Sequence, residues 1–327
     1  MAVDAPRAPA AKDFKSGVHI DWCAGCGDFA IVTALHQALA QLGVEPHEVA
    51  FITGIGCSGK TSHYANAFGA HTIHGRLLPY ATGVKLARPE LTVICAGGDG
   101  DGLGIGAGHF VNAGRRNVDM SYMFFNNGVY GLTKGQASPT LRLGAKPKSL
   151  PVANINEGVN PIWLAVASGF TWVGRAYSFD VKHLTKMIVE SVQHKGFAFL
   201  DILQPCPTYN DLNTKDWYSA KDVVDTETGA AGPRVYKLEE QDGHDPVVDE
   251  PDEVDEKMLR AIELGAQWGD RIPIGVFYKN ALVTQFGDRI EQRIPHYRKQ
   301  PPARQAIAGA DGKTNVDFEA LLGPAAL

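Results

Sequence analysis

The chain has 327 residues, 44% of them apolar, enough to bury one large α/β core or two smaller ones. A formal charge of −5 offers no basic surface to nucleic acid, and nowhere do eighteen apolar residues stand together, so nucleic-acid-binding and membrane-spanning classes are excluded. The first twenty residues contain no apolar run of the secretory kind, and the cysteines number five, which predicts a cytoplasmic protein whose thiols serve metal binding, catalysis or packing rather than disulfides.

After an expected N-terminal tail (1–16), Asp28 is placed to cap a helix whose apolar residues Ile31, Val32, Leu35, Leu39 and Leu42 recur at helical spacing, with Gly43 placed to end it. AFITGIGC then reads as a buried strand stopped by glycines just before Cys57, and LTVIC, followed at once by AGGDGDG, as a second. A helical segment around IGAGHFVNAGRR leads to MSYMFF, a strand ending at Asn126 and Asn127. A short helix after Pro161 precedes TWVGRAY; DVKHLTKMIVESVQHKG reads as an amphipathic helix and FAFLDILQPC as a further strand. This alternation predicts an α/β fold, a doubly wound and mostly parallel sheet, because parallel strands need crossovers and helices must cover both faces. Ligands of such sheets sit beyond the carboxyl ends of strands, a rule that gathers Cys57, Gly98 to Asp101, Asn127 and Cys206 on one rim.

Past about Tyr209 the pattern weakens, which closes the main domain at 17–210. LEEQDGHDPVVDEPDEVDEK reads as a solvated connection or mobile arm within an irregular C-terminal segment, 211–298. RIPIGVFYKN in that segment is expected to pack back on the main domain, and 299–327 to form a loosely held extension.

Asp99 and Asn127 are 28 positions apart, about one strand–helix–strand unit, so both can emerge side by side from one sheet. A carboxylate, a side-chain carbonyl and a nearby backbone carbonyl are hard donors suited to Mg²⁺, with remaining positions left for phosphate oxygens. Gly98, Gly100 and Gly102 let backbone approach a diphosphate closely. A plain tight turn is the bland alternative, and the spacing of a dinucleotide fingerprint is not met. The pair Cys23 and Cys26 fits a dithiol switch, half a zinc site or half an iron–sulfur site. Cys57 and Cys206 on the same rim make four thiolates, which zinc and a cubane cluster both accept. Cys95, inside LTVIC, is an ordinary core thiol.

GDGDG followed by NNGVYGLTKGQ resembles the thiamine-diphosphate motif. Together with WCAGCG, GIGCSGK, HGRLLPYATGVKLARPEL and QPCPTYN, it resembles the β subunit of 2-oxoacid:ferredoxin oxidoreductases, especially the 2-oxoglutarate type, closely over residues 17–210. The resemblance implies thiamine diphosphate, Mg²⁺ held by Asp99, Asn127 and the Val129 carbonyl, and a [4Fe–4S] cluster on Cys23, Cys26, Cys57 and Cys206. It implies cofactor contacts from Ile55, Gly56, Cys57, Ser58, His74, Gly98, Gly100, Asp101, Tyr130, Gly131, Leu132 and Thr133. Lys134 is placed to pair with the distal carboxylate of 2-oxoglutarate, though a solvated loop lysine reads as well; Arg76 could balance negative charge nearby. The implied reaction is oxidative decarboxylation of the 2-oxoacid with coenzyme A to acyl-CoA and CO₂, with electrons passing to ferredoxin. An α subunit must supply the glutamate that activates the cofactor and most coenzyme A contacts. Ferredoxins are usually acidic, so docking is expected near the cluster and away from residues 239–256. The rivals are a pyruvate or indolepyruvate oxidoreductase subunit and, in another class, a non-catalytic iron–sulfur or zinc-binding module.

Overall fold

The computed structural model of the chain describes residues 8–317 and 323; residues 1–7 of the expected tail, and 318–322 and 324–327 of the expected extension, lie outside it. Nine strands form one sheet: β1 (Val49–Thr53), β2 (Phe68–His71), β3 (Thr92–Gly98), β4 (Met120–Asn126), β5 (Trp172–Tyr177), β6 (Phe197–Leu203), β7 (Val235–Lys237), β8 (Val247–Val248) and β9 (Ile272–Asn280). Their order is β7-β9-β5-β6-β4-β3-β1-β2, with β8 also pairing to β9. The six from β5 to β2 run parallel, and β9 lies antiparallel to β5. The predicted doubly wound, mostly parallel sheet is therefore present, and RIPIGVFYKN extends it as β9.

Strands buried on both faces carry apolar side chains on both, and the middle of β4 does so: Tyr122 and Phe124 enter one core layer, Met123 and Phe125 the other. Helices α1 (Asp28–Leu42) and α5 (Val181–Gln193) cover one face, packing Leu35, Leu39, Leu184 and Ile188 against it. The other face is covered by α2 (Leu77–Ala87), α3 (Ala107–Arg116), α4 (Pro161–Ala167) and α6 (Val254–Ala266). Gly43 ends α1 at φ +68°, the left-handed conformation that glycine adopts without penalty.

Three local expectations are corrected. Gly27, not Asp28, is the N-cap of α1, and the Asp28 carboxylate is buried rather than turned to the helix's free N–H groups. The acidic segment is no mobile arm: Leu238 and Val248 are buried, Val247–Val248 pairs with β9, and its end becomes the first turns of α6. Its acidity is local, but its few apolar residues are each spent on the sheet. Within the expected tail, Phe14 is fully buried among the side chains of α1's core face. Among the described residues no helix is long and apolar enough to cross a membrane.

Candidate active site

The carboxyl ends of β1, β3, β4 and β6 meet on one rim because register aligns them: Gly98 pairs with Phe125, and Asn126 with Leu203. Asp99 therefore leaves β3 level with the end of β4. Its carboxylate is 1% exposed and accepts hydrogen bonds from the Gly100 and Gly128 N–H groups and the Ser138 and Thr140 hydroxyls at 2.6–2.9 Å. Burial raises its pKa, and these four donors oppose the rise by stabilising the anion. Asn127 accepts from the Val129 N–H at 3.0 Å and donates to Gln204 Oε1 at 2.6 Å.

Asp99, Asn127 and Val129 line one cavity of about 150 Å³, together with Ile55, Gly56, Cys57, Ser58, His74, Gly98, Gly100, Asp101, Tyr130, Gly131, Leu132 and Thr133. Every residue that the resemblance assigns to cofactor contact thus lines a single recess, whereas Gly102 does not. Asp101 braces its wall, its Oδ1 accepting from the Ile55 and Gly75 N–H groups at 3.0 and 2.7 Å and lying 3.1 Å from His74 Nδ1. Desolvation raises the Asp101 pKa, and the two N–H bonds work against it. Two of the glycines also serve packing. A Cβ at Gly100 would lie 2.2 Å from the Tyr130 ring, and one at Gly102 2.4 Å from the Tyr122 hydroxyl, so both are needed for protein packing.

Lys134 stands apart. It does not line the cavity; it is exposed in the tight turn after Thr133, at φ +78°. Arg76 makes no ion pair among the described residues and donates to the Gly75 and Ile105 carbonyls.

Cys57 and Cys206 flank Gly131, where a Cβ would lie 3.4 Å from one sulfur and 3.9 Å from the other. Cys26 and Cys23 belong to the same neighbourhood: the charges of Cys57 and Cys206 act on Cys26, and that of Cys23 on both Cys57 and Cys206. The Cys26 N–H closes a turn on the Cys23 carbonyl at 3.0 Å, and Trp22 Nε1 donates to the Cys57 carbonyl at 2.8 Å. Desolvation, reinforced by Asp28, pushes the Cys57 thiol up to about 12 and Cys26 higher still. Such thiols become thiolate ligands only where a metal centre supplies positive charge. Among the described residues, no three His, Cys, Asp or Glu side chains converge tightly enough to chelate a single ion. Cys95 lies fully buried in the core, as expected.

Several residues here escaped the sequence reading. Asp28 lines the cavity beside the cysteines with neither oxygen hydrogen-bonded among the described residues, and burial raises its pKa to about 7. Gln204 Nε2 donates to Cys26 Sγ at 3.1 Å while its Oε1 receives Asn127, so one buried amide spans both clusters. The strand-end rule could have found Gln204, since it directly follows β6. Nothing in the sequence marks Ser138 and Thr140, which reach Asp99 through a loop.

Residues 54–202 match the family described as thiamine pyrophosphate enzyme, C-terminal TPP binding domain, and 232–294 match the C-terminal family of the pyruvate ferredoxin oxidoreductase beta subunit. A 2-oxoacid:ferredoxin oxidoreductase subunit beta of Saccharolobus solfataricus is 53% identical over 304 residues, covering 92% of this chain and 95% of the relative. The 2-oxoglutarate oxidoreductase subunit KorB of Mycobacterium tuberculosis is 44% identical over 200 residues, 61% of this chain and 54% of the relative. A solved 2-oxoglutarate:ferredoxin oxidoreductase from Magnetococcus marinus, with 2-oxoglutarate, coenzyme A and succinyl-CoA bound, superposes with a TM-score of 0.78 at 33% identity over 97% of both chains. The chain belongs to the family of 2-oxoacid:ferredoxin oxidoreductase β subunits.

Proposed function

We propose that this chain is the thiamine-binding half of an enzyme that oxidatively decarboxylates 2-oxoglutarate with coenzyme A to succinyl-CoA and CO₂, passing the electrons to ferredoxin and able to run in reverse. The observation that carries the reading is the placement of Gly131, which lines the Asp99–Asn127–Val129 cavity and at which a Cβ would lie within 4 Å of the sulfurs of both Cys57 and Cys206. When bound, thiamine diphosphate supplies the electron sink for loss of CO₂, and a [4Fe–4S] cluster accepts electrons singly.

The residues present fit both groups. Asp99, Asn127 and the Val129 carbonyl are oxygen donors of the kind Mg²⁺ takes, and Asp99 is held rigid by its hydrogen bonds. Cys23, Cys26, Cys57 and Cys206 would hold the cluster; a body containing its own sulfides needs its ligands spread more widely than a single ion does. His74, tied to Asp101 and the Ile55 carbonyl, orients one cavity wall, and Tyr130, Leu132 and Thr133 line another. Lys134, beyond the cavity mouth, meets the distal carboxylate of the substrate as a point charge. The activating glutamate and the coenzyme A contacts come from an α subunit, and ferredoxin docks on the Cys23 side. The generic 2-oxoacid naming of relatives above 50% identity favours a second reading, broader use of pyruvate or indolepyruvate.

Anaerobic purification with the α subunit should yield iron and acid-labile sulfide in about four-to-four ratio with bound thiamine diphosphate. Cys57→Ser should lose the iron. Zinc without sulfide, or full acyl-CoA synthesis by the isolated chain, would refute the reading. Acyl-CoA formation from each 2-oxoacid separates the two substrate readings: Lys134→Gln should raise KM for 2-oxoglutarate about tenfold and leave that for pyruvate unchanged.

A further inference from the structure

A second cavity, of about 580 Å³, opens on the same side of the sheet and shares only Asn127 with the first. That volume falls in the range of small-molecule sites. Two guanidinium groups meet in it. Arg175, on β5, is 2% exposed; its Nε donates to Asp201 Oδ2 at 2.7 Å, while its Nη1 has no hydrogen-bond partner among the described residues. Arg142 lies over the Trp268 ring at 5.0 Å, with Arg175 6.0 Å from the same ring. The Arg142 side chain makes no hydrogen bond or ion pair among the described residues.

A buried donor without an acceptor costs free energy, and two cations against one ring repel each other unless an anion joins them. Desolvation lowers the Arg142 pKa, and Arg175 adds to that. Asp201 offsets Arg175, but Glu157 is the one carboxylate on the lining, and it is exposed and pairs with neither arginine. The rest of the lining mixes neutral polar side chains, Asn127, Asn160 and Asn213 among them, with apolar ones, and of the latter Leu143, Trp163 and Leu212 are 53%, 43% and 39% exposed, side chains that gain by being covered.

We propose that this cavity binds a small organic anion, its carboxylate or phosphate held between Arg142 and Arg175 and its apolar body laid against Trp163, Leu143 and Leu212. The fork of a guanidinium suits either oxyanion. A planar or short-chain body of a few carbons fits within the volume with room to spare. The proposal does not depend on the thiamine reading, because neither arginine lines the thiamine cavity.

The test is calorimetric titration of the full chain with phenyl phosphate, benzoate and inorganic phosphate, in the presence of Mg²⁺ and thiamine diphosphate so that the first cavity is occupied. Saturable one-to-one binding of phenyl phosphate or benzoate is expected, tighter than inorganic phosphate alone; whichever of the two binds tighter identifies the oxyanion. Arg142→Ala, at an exposed position whose side chain contacts the Trp268 ring and makes no hydrogen bond or ion pair among the described residues, should fold normally by circular dichroism and weaken binding at least about tenfold. Glu157→Gln removes the opposing charge and should tighten it about threefold. Absence of saturable binding by either organic anion, or equal binding by the parent chain and Arg142→Ala, would overturn the proposal. So would loss of binding in the assembled oxidoreductase, which would assign the cavity to a segment of another subunit.

Discussion

Gly102 presents a hydrogen where any side chain would strike the Tyr122 hydroxyl, and that hydroxyl has no hydrogen-bond partner among the described residues. Gly102→Ala should therefore cost about 2 kcal/mol in chemical denaturation, from overpacking. Tyr122→Phe alone should be close to neutral, and in the double variant it should recover most of the loss, a coupling that a purely conformational role for the glycine would not produce. At this scale the sequence was informative about which residues matter and less so about why. GDGDG singles out its glycines, but whether a missing Cβ makes room for a diphosphate or for Tyr130 and Tyr122 depends on residues twenty and thirty positions away. Asp28 shows the same limit: a short acidic residue before an apolar helix reads as a cap, and only the fold reveals Gly27 in that place and the carboxylate among thiols.

Helix α5 ends at His194, whose imidazole is buried and lies 2.7 Å from the Thr171 hydroxyl. Burial lowers its pKa from 6.5 to about 4, with Lys279 and Lys195 adding to the shift and Asp119 opposing it. Below pH 6.5 the unfolded chain takes up a proton that the native site refuses. The stability is thus complete above pH 6.5 and is lost as pH falls toward 4, by about 3 kcal/mol. Denaturation midpoints measured from pH 7 to 5 should decline less in His194→Gln. Phe14→Ala should destabilise the chain by about 3 kcal/mol, the cost of emptying a core position, where a free tail would give no effect. Elements with sustained periodicity, α1, α5 and the parallel strands, were legible because their apolar spacing repeats over several turns or over both faces. The acidic segment was not. β8 is two residues long, and its existence is decided by β9, which lies about thirty positions later, while the charges that open α6 mask an amphipathic helix.

Across the whole molecule, the strand-end rule carried the reading furthest. It brought Cys57, Asp99, Asn127 and Cys206 to one rim from spacings alone, and the structure places all four there. The rule says where chains emerge and nothing about what returns, so the loop donors Ser138 and Thr140 and the exposed posture of Lys134 could not be foreseen. Since the 239–256 segment is part of the sheet, deleting it would unfold rather than probe it. Charge removal at its exposed residues is the sound variant: Asp249→Asn, Glu250→Gln and Asp252→Asn together should leave the rate of ferredoxin reduction within about twofold at low salt. A large acceleration would bring the segment into the docking surface.

Gln204 lies between the thiol group and the oxygen-donor group, donating a hydrogen bond to Cys26 Sγ and accepting one from Asn127. An amide can satisfy both neighbours in only one orientation, so fixing either end fixes the other. Under the proposed function, assembly of the cluster and of the thiamine site then becomes cooperative, and linkage makes the effect mutual. Iron should leave to a chelator more slowly once magnesium and thiamine diphosphate are aboard, and Gln204→Leu should abolish that protection.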